Sequence, residues 1–241
     1  MRHIVCKDYD EVSKKAAEVL LEVVKVKPDA VLGLATGSTP VGLYKELIEA
    51  YQNKEVDFGK VTTFNLDEYY GLPRENDQSY YYFMEENLFK NVNVADVNKN
   101  IPNGMAQDAR VECKRYDDKI EALGGIDIQL LGVGGNGHIG FNEPAEALSG
   151  PTHMVTLTDD TIEANARFFA SKADVPTKAL TLGIKGIMTA KKVLVVACGK
   201  AKAQAVKELF SGRITTKCPV TLLNAHCDVV VVTDEEAASL L

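Results

Sequence analysis

Two hydrophobic periods alternate along this chain. Short apolar runs at residues 4–5, 30–34, 61–66, 126–131, 154–157, 179–184, 191–198 and 228–233 read as buried strands. Between them apolar residues return every three or four positions, as on one face of a helix. Val12, Ala16, Val19, Leu20 and Val23 follow the capping pattern Asp8-x-x-Glu11 and stop before Pro28. Leu43, Leu47, Ile48 and Tyr51 form the next such face; Pro40 suits its first position, with Thr39 as cap. A helix over 80–89 follows, capped at Asp77 or Ser79, and 91–107 reads as loop. Ala109, Cys113, Tyr116, Ile120 and Leu123 mark a helix that Gly124-Gly125 stops. Further helices are expected from Thr158 to about residue 168, over 201–210, and from the last strand to Leu241. This alternation predicts an α/β fold: an open, doubly wound, mostly parallel, Rossmann-like sheet with helices on both faces. No repeat, low-complexity tract or linker interrupts it, so residues 1–241 read as one domain.

The strand over 126–131 runs into Gly132-Val133-Gly134-Gly135-Asn136-Gly137-His138-Ile139-Gly140-Phe141-Asn142-Glu143-Pro144. Glycine suits backbone that takes positive φ or approaches a ligand closely. Ligands of open α/β sheets lie beyond the carboxyl ends of the strands. Asn136, His138 and Glu143 therefore fall where a ligand would sit, and a His beside a carboxylate can move a proton near neutral pH. The plainer alternative is a Gly-rich turn carrying a solvated His.

Two earlier strand ends carry chemistry of their own. Thr36-Gly37-Ser38-Thr39-Pro40 joins a strand to a helix, where free N–H groups and two hydroxyls can cradle an anion. It is neither a P-loop nor a G-x-G-x-x-G, and an ordinary helix cap is the competing reading. Asn65-Leu66-Asp67-Glu68 holds two adjacent carboxylates, which cannot both face inward on an extended chain. One of them can remove a proton next to a carbonyl; a solvated turn is the alternative. Two cations fit an anionic ligand. Arg167 lies in Asn165-Ala166-Arg167-Phe168-Phe169, and Lys202 falls in the first turn of a helix, where the helix dipole opposes it and a phosphate would offset it. Solvated surface charge is the alternative for both.

A net charge of −7 argues against nucleic-acid and anionic-membrane partners, leaving a small anionic substrate that meets a local basic pocket. The five cysteines are odd in number and no pair is spaced C-x-x-C. With no leader pattern and no apolar run of membrane-spanning length, the expectation is a cytoplasmic chain with reduced thiols. The four His residues show no metal-binding spacing, so no metal is expected. The absence of G-x-S-x-G argues against a serine hydrolase.

Five blocks together resemble the glucosamine-6-phosphate deaminase family, in that family's order over most of the chain. They are Leu34-Ala35-Thr36-Gly37-Ser38-Thr39-Pro40, Thr63-Phe64-Asn65-Leu66-Asp67-Glu68-Tyr69, Ser79-Tyr80-Tyr81, the stretch from Gly134 to Pro144, and Asn165-Ala166-Arg167-Phe168-Phe169. The resemblance implies conversion of glucosamine 6-phosphate and water to fructose 6-phosphate and ammonia, without redox cofactor or metal. It implies Asp67 as the base that carries a proton from carbon 2 to carbon 1, and His138, supported by Glu143, as the ring-opening group. It implies Gly37, Ser38, Thr39, Arg167 and Lys202 as phosphate contacts. Asn136 departs from the family pattern, since many members carry Asp there. An amide can orient a ring by hydrogen bonding but supplies no charge to an imidazolium, so Glu143 is expected to carry more of that role.

The nearest rival is a 6-phosphogluconolactonase, whose Gly-His loop typically continues Thr-Ala-Ser-Leu-Phe-Pro rather than Ile-Gly-Phe-Asn-Glu-Pro. A lactonase also needs no carbon-acid base. A non-catalytic sugar-phosphate-binding regulator is the other reading, but the chain shows no basic helix for DNA. Some deaminases are activated by N-acetylglucosamine 6-phosphate, in part through a longer C-terminal segment; the end at Leu241 leads us to expect no such regulation. A homo-oligomer is left open.

Overall fold

The computed structural model describes the chain apart from residues 167, 168 and 170. The elements run β1 (Arg2–Cys6), α1 (Tyr9–Val26), β2 (Val31–Leu34), α2 (Val41–Gln52), β3 (Thr62–Asn65), β4 (Asp67–Tyr69) and α3 (Tyr80–Asn87). Then come β5 (Lys99–Asn100), α4 (Ala109–Ala122), β6 (Ile128–Gly132), β7 (His153–Thr156), α5 (Asp159–Ala166), β8 (Lys178–Thr181), α6 (Ile184–Met188), β9 (Lys192–Ala197), α7 (Ala203–Leu209) and β10 (Val229–Asp234).

Seven strands form one parallel sheet in the order β1-β10-β9-β6-β2-β3-β5. Consecutive residues of β2, β9 and β10 are buried, which requires cover on both faces. The expected doubly wound α/β architecture is therefore present. Helix α1 lays its buried face, Val12 to Val24, against β1, β9 and β10. Its cap is the predicted one: the Asp8 carboxylate accepts from the Glu11 N–H at 2.9 Å.

The winding direction changes between β2 and β6. Successive strands β2, β3 and β5 step outward one way; β6, β9 and β10 step the other. Loops leaving the carboxyl ends of β2 and β6 must diverge, and that divergence opens a crevice. Glycine at residue 33 leaves room between these two strands for a side chain of β6. A Cβ on Gly33 would lie 2.1 Å from Oε1 of the buried Gln129 side chain.

A second, three-stranded antiparallel sheet, β4-β8-β7, was not expected from the sequence. Leu66 is its hinge. The Leu66 N–H continues the main ladder to the Leu34 carbonyl (3.0 Å), while its own carbonyl accepts from Leu182 N–H (2.7 Å). The chain thus leaves the parallel sheet and enters the small one at Asp67, a change set by the distant partner β8.

Other expectations need correction. Thr39 does not cap α2: Pro40 is the cap residue, with no side-chain bond. The Tyr9 hydroxyl does the work instead, accepting from Gly42 N–H at 2.7 Å, with the Ser38 and Thr39 carbonyls each 3.1 Å away. Residues 91–107 are not all loop, since β5 pairs with β3. The run over 179–184 ends as a strand at Thr181 and continues as α6. Residues 200–202 form a 3₁₀ turn before α7, and the segment after β10 holds only turns. Among the described residues no helix is long and apolar enough to cross a membrane.

Candidate active site

Four neighbouring strands, β9, β6, β2 and β3, deliver their following segments to one cleft of about 670 Å³ at the switch point. Its walls include Gly37, Ser38, Thr39, Asp67, Asn136, His138, Glu143 and Lys202, every site residue expected from the sequence except Arg167. Arg167 lies outside the described residues.

One wall is the loop after β2. Gly37 takes φ +96°, a conformation that suits glycine. Among the described residues the N–H groups of Gly37, Ser38 and Thr39 meet no protein acceptor. Free donors at the start of α2 are suited to an anion. Lys202 enters the same cleft from the turn after β9. It is half-buried, and burial pushes its ammonium below the usual lysine range. It sits ahead of α7 rather than in the helix's first turn, so the dipole argument made from sequence applies to it weakly.

The opposite wall is built on β4 and the loop after β6. Asp67 is buried and pairs in register with Thr181. Burial, and then the negative charge of Glu68, lift its carboxyl above the usual range, and among the described residues no donor or cation counters them. The Thr181 hydroxyl accepts from Phe141 N–H at 3.1 Å, tying the His138 loop to the small sheet beside Asp67. A Cβ on Gly140 would stand 3.6 Å from Asp67 Oδ2, so one added methyl group would bring the loop into contact with the carboxylate.

His138 lies over Gly134, whose added Cβ would come within 2.3–2.5 Å of three ring atoms. Its Nδ1 is 3.2 Å from Glu143 Oε1, a close approach bent away from a linear hydrogen bond. Thr161, from α5, donates to the same Oε1 at 3.0 Å, and Asn136 Nδ2 donates to Oε2 at 2.8 Å. Burial pushes the Glu143 carboxyl up, but His138, Asn136 and Thr161 outweigh it and hold the group at about 2. Asn136 does not touch the ring. Its Oδ1 accepts from the His138 backbone N–H at 3.1 Å, so the amide shapes the loop and steadies Glu143, while the Glu143 carboxylate faces the imidazole.

Sequence reasoning missed Tyr80, Thr158 and Thr161 as lining residues. Tyr80 comes from α3 and stacks near Phe141, with centroids 6.3 Å apart. No local signal marks Thr161; only the packing of α5 brings it to Glu143. The remaining histidines are tied elsewhere: His3 to Thr233, His153 to the Pro151 carbonyl, and His226 to the Ala190 carbonyl. Among the described residues no three His, Cys, Asp or Glu side chains converge to hold a metal ion.

Residues 7–232 match the family described as glucosamine-6-phosphate isomerases/6-phosphogluconolactonase. The glucosamine-6-phosphate deaminase of Clostridium botulinum (strain Loch Maree / Type A3) is 56% identical over 241 residues, covering 100% of this chain and 99% of that protein. That of Clostridium perfringens (strain 13 / Type A) is 57% identical, covering 100% of both. This chain belongs to the glucosamine-6-phosphate deaminase family. A solved structure of a monomeric glucosamine-6-phosphate deaminase superposes with a TM-score of 0.97 at 46% identity, over 100% of both chains. The 6-phosphogluconolactonase of Trypanosoma cruzi shares the fold at 20% identity, with a TM-score of 0.79 over 100% of this chain and 96% of that one. The deaminase family likeness thus spans the whole chain, including both walls of the cleft.

Proposed function

We propose that this chain converts glucosamine 6-phosphate and water to fructose 6-phosphate and ammonia, with Asp67 as the base. The observation that carries the reading is the Asp67 carboxylate: buried, without a donor among the described residues, and in one cleft with the His138–Glu143 pair and an open anion cradle. A lactone hydrolysis removes no proton from carbon and so needs no carbon-acid base.

The phosphate binds the N–H groups and hydroxyls of residues 37–39 and the Lys202 ammonium, with Arg167 as a further contact. That remote binding orients the sugar carbons. His138, oriented by Glu143, takes the proton of the anomeric hydroxyl and gives it to the ring oxygen as the bond from carbon 1 to that oxygen breaks, freeing the aldehyde. Asp67 then takes the proton from carbon 2, and carbons 1 and 2 become an enolamine. Returning the proton to carbon 1 leaves an imine at carbon 2; water adds there and ammonia departs, giving the ketose. A positioned base contributes on the order of 10²–10⁴ in rate, most effectively when its pKa lies near the working pH. The upward displacement of Asp67 serves that end. The five unpaired thiols suit a reducing, cytoplasmic setting.

Purified protein mixed with glucosamine 6-phosphate and no added cofactor should release ammonia and fructose 6-phosphate in equal amounts. Hydrolysis of 6-phosphogluconolactone with no ammonia from the amino sugar would reverse the reading.

A further inference from the structure

Glu68 is buried next to Asp67 on β4 and takes no part in the steps above. Side chains alternate along a strand, so Glu68 points away from the face that Asp67 presents to the cleft. Its carboxylate is fully occupied. Oε1 accepts from the N–H groups of Tyr69 (2.8 Å) and Tyr80 (2.9 Å), and Oε2 from that of Tyr81 (2.9 Å). Tyr80 and Tyr81 open α3, where free N–H groups and the helix dipole favour an anion. Arg74, whose guanidinium lies 4.2 Å from the Tyr81 ring centre, adds positive charge on that side.

The strand therefore buries two adjacent carboxylates, and all the donors go to one of them. Among the described residues the other titratable groups around Asp67 are the phenols of Tyr44 on α2, Tyr69 on β4, Tyr80 on α3 and Tyr116 on α4. His138, Glu143 and Lys202 line the same cleft. Burial raises all four phenols, which stay neutral near pH 7. Burial pushes the Glu68 carboxyl up to about 7, and the three N–H groups and Arg74 offset that only in part, so its charge is full only above neutrality. A like charge in a dry site disfavours ionisation of its neighbour.

We propose that Glu68 is a positioning residue for the deamination: its carboxylate, held by the N–H groups at the start of α3, stands as a like charge beside Asp67 and governs how readily that carboxylate takes the carbon 2 proton. The same three bonds hold Tyr80 at the wall of the cleft. This inference rests on Asp67 being the base.

The test is the pH dependence of kcat/KM in Glu68→Gln, which keeps the shape and removes the charge. The acid limb should move down by about one pH unit, with kcat above the limb lower by about 3–10-fold because the base is weaker. Glu68→Asp, which keeps the charge, should leave the limb within about 0.3 unit of the parent's. A clamp with no electrostatic role would lower kcat at every pH and leave the limb in place; that outcome overturns the proposal. If Glu68→Gln does not fold, Glu68→Ala, smaller and also uncharged, is read in the same way: a lowered limb supports the proposal and an unmoved one overturns it. Asp67→Asn separates the two levels. Turnover retained there removes both the base and its tuner, whereas an inactive Asp67→Asn with an unmoved Glu68→Gln limb removes only the role of Glu68.

Discussion

Replacing Gly134 by alanine puts a methyl group where the His138 imidazole lies. The added Cβ would stand 2.3 Å from Cε1, 2.4 Å from Nδ1 and 2.5 Å from Nε2 of the ring. Ordinary contact begins at about 3.5 Å, so the ring must retreat by about 1 Å. Gly134 is not among the glycines at positive φ, so the backbone accepts alanine and the effect is purely steric. A ring pushed off Gly134 cannot also keep its 3.2 Å contact with Glu143. A misplacement of about 1 Å at a catalytic group costs on the order of 10²-fold in rate. The anion cradle lies across the cleft and is untouched, so KM should stay within about threefold. Overpacking costs about 1–3 kcal/mol, and at this chain length each kcal/mol lowers Tm by about 2–4 °C. The assay is steady-state ammonia release from glucosamine 6-phosphate, paired with a thermal melt. A Gly134→Ala protein with kcat within about threefold of the parent would show that ring placement over Gly134 does not matter to turnover.

Further expectations follow from other groups. Asp67→Asn should lower kcat by about 10²–10⁴ with substrate still bound, read by calorimetry alongside turnover. Because the folded protein raises the Asp67 pKa, ionising it costs stability as pH rises above about 4. The Asn variant should therefore melt higher than the parent at pH 8, by an amount that shrinks toward pH 4; an equal gap at both values contradicts the buried-charge account. Lys202→Ala should raise KM by about 10–100-fold with little change in kcat, the loss of one charge-assisted contact to phosphate; an unchanged KM counts against that contact. Asp127→Asn tests the amino end of the sheet, where the carboxylate accepts from Lys27 (2.8 Å), Lys191 (2.7 Å) and the Val31 N–H (2.7 Å). Burial pushes this carboxyl up, but those three donors prevail and lower it. Its stabilisation is present above about pH 4 and is lost as pH falls through the lowered value. Both lysines are partly exposed, so water screens the pairs and the loss should be about 1–3 kcal/mol with kcat unchanged. Equal Tm values for variant and parent at pH 7 would refute it.

Local chemistry made much of this protein legible from its sequence. The apolar runs of β2, β6, β9 and β10 and the helical spacing after Asp8 and Asp108 are short-range patterns, and they specify an α/β sheet wherever they occur. Glycine at 37, 134, 137 and 140 marks places where backbone must turn or approach a ring closely, so the loops that bear chemistry were visible before any fold was known.

Long-range pairing decided the rest. Nothing near Asp67 in the sequence says that residues 67–69 will leave the parallel sheet to pair with 179–181, yet that step buries the carboxylate and strips it of donors. Thr161 reaches Glu143 across 18 positions and Tyr9 caps α2 across 33, so neither could be read from its neighbours. Asn136 was expected at the imidazole and instead braces Glu143 and the loop, because a side-chain amide goes to whichever partners the folded loop presents. Sequence sets which groups are available, whereas their charge state and facing partners depend on burial, which exists only once distant segments meet.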